Sequence, residues 1–141
     1  MKIWKLFMLL TFLLTGSLSV HSQVKTGKVY FIRVTGYMGT AVNYSFYVDG
    51  ALICKQKNNS YSIHDLNVGE HTITISSGGL SSGKKSTPLK INVEDGKTNY
   101  INIVGTQSGY ANKINCQEIT QNSAEPLLAK AKQKTDCLSK Q

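Results

Sequence analysis

Acidic side chains are scarce in this chain. Its 141 residues contain eight carboxylates against sixteen basic side chains, two prolines, three cysteines and one tryptophan. So few acids leave little material for paired-carboxylate catalysis or an oxygen-rich cation site. Several of them also fall in turns, as Asp49 and Asp95 do. Cys54, Cys116 and Cys137 are too far apart in sequence for a zinc knuckle or a Cys-x-x-Cys redox motif. No Gly-x-Ser-x-Gly elbow occurs. The stretch from Gly78 to Lys85 holds glycines and lysines but lacks the Gly-Lys-Ser/Thr step onto a helix that cradles phosphate. The net charge is +8, yet the lysines are scattered and not interleaved with aromatics, so nucleic acid is not the expected partner. No catalytic residue, cofactor or metal site is expected; His64-Asp65 and Glu70-His71 read as parts of turns and strand starts rather than as a zinc cluster.

The longest apolar run, Leu6 to Leu14, is far short of the roughly 20 residues of a spanning helix. Lys2 and Lys5 precede it, and small residues around Gly16 to Ser22 follow it. This is the layout of a secretory signal peptide, expected at 1–22 with cleavage after Ser22. No cysteine stands near that point to carry a lipid. The expected product is periplasmic or extracellular, not lipid-anchored, with no transmembrane segment after cleavage.

From Gly27 onward the pattern has a period of two, broken by turn residues at short intervals. Strands are expected at Gly27 to Val34, Val42 to Val48, Ala51 to Lys55, Ser60 to His64, His71 to Ser77, Pro88 to Val93 and Thr98 to Gly105. Asp49-Gly50 between two alternating runs is a strong hairpin signal, because both central residues of the favoured turn need positive φ. About seven short strands with no intervening helix predict an antiparallel β-sandwich over 23–121. After Gly105 the signal weakens: Thr106 to Lys113 reads as loop, and Ile114 to Ile119 as an eighth strand. An amphipathic helix and tail is expected over 122–141, capped by Asn122 or Ser123, with an apolar stripe of Leu127, Leu128, Ala131 and Leu138.

Export makes a disulfide permissible. Cys54 reads as a small hydrophobe inside its strand, which leaves Cys116 and Cys137 as the candidate pair, pinning the helix to the sheet. Tyr37 and Tyr110 fall in glycine-containing loops and are the tyrosines expected to be exposed. With Lys84 and Lys85 they form the candidate interaction surface.

Further resemblance lies in longer stretches. YVDG followed by LNVGEHTITI resembles a PEGA-like unit. VYFIRV, GTAVNYSFYVDG, NNSYSIHDLNVGEHTITI and DGKTNYINI together resemble the bacterial exported family known as domain of unknown function 2846, over roughly Lys28 to Val104. The resemblance implies an immunoglobulin-like or transthyretin-like sandwich of the cell envelope, and implies no reaction.

The reading from sequence is therefore a non-enzymatic envelope module that binds an envelope protein or polymer. A structural accessory subunit that adds a strand to a larger assembly is the second reading. A hydrolase with an unfamiliar site is the third.

Overall fold

Alternation of apolar and polar residues dictates what the chain builds. The computed structural model describes residues 24–37, 39–78, 84–108 and 111–137; the expected signal peptide, Tyr110 and Leu138 lie outside the described residues. Among the described residues nine strands run in order: β1 (Thr26–Arg33), β2 (Tyr44–Val48), β3 (Ala51–Gln56), β4 (Ser60–Asn67), β5 (Gly69–Ser77), β6 (Leu89–Val93), β7 (Thr98–Ser108), β8 (Ala111–Ile119) and β9 (Lys132–Gln133). One helix, α1 (Gln121–Leu128), stands between β8 and β9. The strands form a five-stranded sheet, β8-β7-β1-β4-β9, and a four-stranded sheet, β3-β2-β5-β6. This is the expected mainly-β sandwich, with one strand, β9, beyond the eight read from the sequence.

The inner faces meet in one apolar layer. Val29 and Phe31 of β1 and Ile101 and Ile103 of β7 face Phe46, Ile73, Ile75, Ile91 and Val93 of the other sheet, all buried. The rings of Phe31 and Phe46 meet edge to face at 5.2 Å, an arrangement that adds about 0.5–1.5 kcal/mol beyond area burial. The Asp49-Gly50 turn is as expected, with φ of 50° and 84°.

Three features depart from the sequence reading. β1 pairs parallel with β7, Lys28 opposite Thr98, so the pairing is mixed rather than antiparallel throughout. The segment read as loop after Gly105 belongs to strands: β7 runs on to Ser108, β8 starts at Ala111, and Gln107 pairs with Asn112. Continued pairing along a two-stranded arm satisfies backbone groups that local composition gave no reason to call strand.

The helix is the third. Its cap is Thr120, whose hydroxyl accepts from Ser123 N–H at 3.4 Å, so it begins before the expected cap and ends at Leu128. Beyond it the backbone donors leave the helical pattern: Lys132 N–H bonds Asn59 O at 3.0 Å and Lys134 N–H bonds Tyr61 O at 2.7 Å. Sheet pairing with β4 thus replaces helical hydrogen bonds. Lys130, Lys132 and Lys134 recur every second residue, a strand period, and lysine suits an exposed edge.

Candidate functional site

The two outer faces of the sandwich differ. On the five-stranded sheet α1 lies across β1 and β7. Ala124 is its buried residue, and Ile32, on the outward side of β1, is buried as well. Beside the helix, Tyr30 lies 5.1 Å from the ring of Tyr100 and 6.1 Å from that of Tyr61. Burial first, then the neighbouring Tyr30 and Glu125, raise the Tyr100 phenol above its ordinary range.

Among the described residues no helix lies on the outer face of the four-stranded sheet. Pairing register lines up four side chains across it: Lys55 opposite Ser45, Ser45 opposite Ser76, and Ser76 opposite Lys85. Two serine hydroxyls therefore lie between two lysines, one at either end of the row. In the next row Tyr47 stands between Leu52 and Thr74, and the Lys85 ammonium sits 4.3 Å from the Tyr47 ring centroid. A shallow open cavity of about 520 Å³ lies over this floor, walled by Ala41, Val42 and Asn43 together with Ser77 and Gly78, whose N–H bonds Asn43 O at 2.8 Å. Its described lining holds no carboxylate. The chemistry offered is two cations, several hydroxyls, an amide and one aromatic face, suited to an anionic or hydroxyl-rich ligand.

A buried arginine positions the wall of this cleft. Arg33, the chain's only arginine, is fully buried. Its guanidinium donates to Gln56 O at 2.5 Å and to Gly39 O at 2.6 Å. It also stacks 3.6 Å from the centroid of the Tyr44 ring. Desolvation lowers its pKa from the ordinary arginine value, opposed by Tyr44. Gly39 is required here: its φ is +64° and a Cβ would fall 2.2 Å from the Tyr44 hydroxyl. Asn58 clips the start of the same loop, its Oδ1 accepting from Thr35 N–H at 2.9 Å. The 34–43 segment is thus tied from within and delivers Ala41 to Asn43 to the cleft. A lone arginine in a β-rich chain was the only sequence signal for this network.

Of the residues read from sequence as an interaction surface, Lys84 and Lys85 are exposed and outside the cleft lining, Lys85 reaching over the Tyr47 ring at its floor. Tyr37 is fully exposed but lies in the 34–43 loop, outside the cleft lining. Tyr47 and Lys55, the central aromatic and the second lysine, are identified only by register.

The disulfide expectation is corrected. Cys137 bonds Cys54, across a sequence separation of 83, and Cys116 is free and buried. Strand order explains it: Cys116 lies on β8, at the far edge of the five-stranded sheet from β9, where the tail carrying Cys137 leaves. β3, with Cys54, faces the β4–β9 side across the open end of the sandwich. Burial pushes the Cys116 thiol up to about 12, so it is inert as a nucleophile.

The two histidines do not converge. His71 Nδ1 lies 2.7 Å from Asp49 Oδ2 and its Nε2 2.8 Å from Asn67 O. Both partners only accept, so the ring that makes both bonds is the imidazolium. The Asp49 bond raises its pKa first, with Asn67 adding. Asp49 is held low by the Thr72 N–H and then by His71. This pair ties the β2–β3 turn to the crossover from β4 to β5. His64 instead points into the rim of the sandwich, 3.0 Å from Ser62 Oγ and edge-on to Phe31. Burial lowers its pKa.

No curated protein and no solved structure matches the chain. The family described as protein of unknown function DUF2846 matches residues 23–115, most of the sandwich, and this chain belongs to that family.

Proposed function

We propose that this protein is an exported, non-enzymatic β-sandwich module of the bacterial cell envelope that binds through the open face of its four-stranded sheet. The observation that carries the reading is the cross-strand row Lys55–Ser45–Ser76–Lys85 beside Tyr47, of which all but Lys85 line a cleft with no carboxylate in its described lining, and Lys85 reaches over Tyr47. Three strand spacings of about 4.8 Å make the row about 14 Å long. That length favours an extended anionic, hydroxyl-bearing polymer over a compact metabolite. Export is supported by the N-terminal pattern and by the Cys54–Cys137 bond, which suits an oxidising compartment. A non-enzymatic role is supported by the separate engagement of His64 and His71 in different parts of the fold. Among the described residues no helix is long and apolar enough to cross a membrane.

The test is retention of the tagged mature chain on purified envelope glycan and lipid fractions, with crosslinking and mass spectrometry on intact envelopes. Wild type is expected to be retained on anionic polymer. The Lys55→Glu/Lys85→Glu variant is expected to lose affinity by about tenfold or more, equal to about 1.4 kcal/mol. Equal retention of both proteins would overturn the reading. Capture of a single protein partner, insensitive to Lys55 and Lys85, would instead favour an accessory subunit. For that role the free sides of β3 and β6, each paired with one neighbour only, offer an edge for strand addition.

A further inference from the structure

The cysteine pair at the open end of the sandwich has a third chemical partner. Cys54 Sγ, Cys137 Sγ and a ring nitrogen of His64 all lie within 4.8 Å of one another. Cys54 is buried, and His64 and Cys137 are half-buried. Cys54 comes from β3, His64 from β4 and Cys137 from the tail, so three separate elements converge on one point. The register shift in the β2–β3 pairing leaves Ile53 as an extra residue. It thereby seats Cys54 opposite Phe46 on the inward face, toward β4.

We propose that in its reduced form this cluster is a Cys2His site for a soft or borderline d-block cation, zinc(II) or copper(I), closed off when the disulfide forms. The inference is independent of the polymer-binding reading. Thiolate and imidazole donors are the set that selects such cations over magnesium or calcium. In a tetrahedral zinc site, donors about 2.3 Å (S) and about 2.0 Å (N) from the metal stand about 3.6–3.8 Å apart. The imidazole nitrogen and the two sulfurs lie within 4.8 Å of one another, and the sulfurs are bonded in the oxidised protein. The adjustment required is chiefly separation of the two sulfurs, by movement of the tail beyond the Lys134 N–H bond to Tyr61 O. The imidazole is also held as a metal ligand is held. His64 Nε2 lies 3.0 Å from Ser62 Oγ, which itself accepts from Gln56 Nε2 at 2.7 Å; in the proposed site Nε2–H donates to Ser62 and Nδ1 takes the cation. Water or a ligand from a partner would complete four-coordination.

The chemistry balances through an external dithiol. Its two thiols supply two electrons and two protons, the Cys54–Cys137 bond breaks to two thiols, and the dithiol leaves as its own disulfide. The cation then displaces the two thiol protons. Exchange with an external disulfide reverses this: it takes up the two electrons and leaves as two thiols, the Cys54–Cys137 bond re-forms and the cation is released, so the site is occupied only where a thiol reductant acts on the protein.

Cobalt(II) titration of the mature protein tests this, in a Cys116→Ala background where the pair are the only thiols. After anaerobic reduction, one equivalent of cobalt is expected to give intense tetrahedral d–d and sulfur charge-transfer bands that zinc displaces; the oxidised protein gives none. His64→Ala is expected to weaken binding at least about tenfold. His64→Cys is expected to restore it with stronger sulfur charge transfer. Circular dichroism follows the fold throughout. Recovery of native ellipticity on adding metal to the reduced protein supports the site, since binding and folding are then coupled. The proposal is overturned if the reduced protein shows no tetrahedral spectrum. It is equally overturned if Cys54→Ser or His64→Ala binds cobalt as wild type does, or if bound cobalt leaves a reduced, unfolded chain unfolded.

Discussion

The two outer faces of this sandwich start from the same strand pattern and end differently. On the five-stranded sheet the outward row includes Ile32 and the tyrosines at 30, 61 and 100, too apolar to leave in water. The chain returns over it with α1, burying Ala124 and Ile32. On the four-stranded sheet the outward side chains are polar: Lys55 and Lys85 are exposed, Ser45 and Tyr47 half-buried, and Thr74 and Ser76 buried between them, with no described helix over them. The difference teaches that the C-terminal segment is recruited by hydrophobicity on one side only. The open face is the one free to recognise something else.

The largest expected effect comes from removing the disulfide that ties the tail of the covering segment to β3 of the other sheet. Reduction, or Cys54→Ala with Cys137→Ala, releases the tail that carries β9. Chain-entropy reasoning for a loop of 83 residues gives about 4–5 kcal/mol, and measured values usually fall at about 2–5 kcal/mol. Guanidinium denaturation of the oxidised and double-variant proteins reads it; equal midpoints would show that the tail contributes nothing.

A smaller effect separates the faces directly. Ala124→Asp places a carboxylate under the helix and is expected to cost at least about 2 kcal/mol. Ser45→Asp, on the open face beside Lys55, is expected to stay within about 0.5 kcal/mol. Comparable losses at both positions would mean that the four-stranded face is covered in solution.

The smallest effect concerns the turn of the open sheet. His71 has a raised pKa, so its contribution is full below the unfolded value of about 6.5 and is lost as pH rises through the folded pKa. Asp49 has a lowered pKa, so its contribution is present above about 3.9 and is lost as pH falls through the folded pKa. The pair therefore holds best between about pH 4 and 6.5. Proton NMR titration is expected to place His71 above and His64 below the ordinary histidine value. Asp49→Asn should bring His71 down and leave His64 unmoved; a His71 shift that survives the substitution would remove the ion pair from the account.

Much of the sandwich was legible because its signals are local. Alternation in Val42 to Val48 and the Asp49-Gly50 turn depend on neighbours one or two residues away, and both appear as read. The site was less legible because it is built from register. Lys55 and Lys85 are thirty residues apart in sequence, and nothing local states that Ser45 and Ser76 lie between them. Arg33 was passed over because a single basic residue in a strand has no local reason to be buried; only the carbonyls of Gly39 and Gln56 and the ring of Tyr44, brought in by other strands, make its burial tolerable.

By itself the sequence determined the class of the fold, the inward apolar rows and the tight hairpin turn, since backbone periodicity and turn chemistry are properties of short segments. Only the tertiary structure decided the parallel pairing of β1 with β7, the end of the helix at Leu128, the choice of Cys54 as the partner of Cys137, and the alignment of the lysine–serine row. Each of these depends on which distant segments become neighbours. That is set by how the whole apolar surface is buried at once.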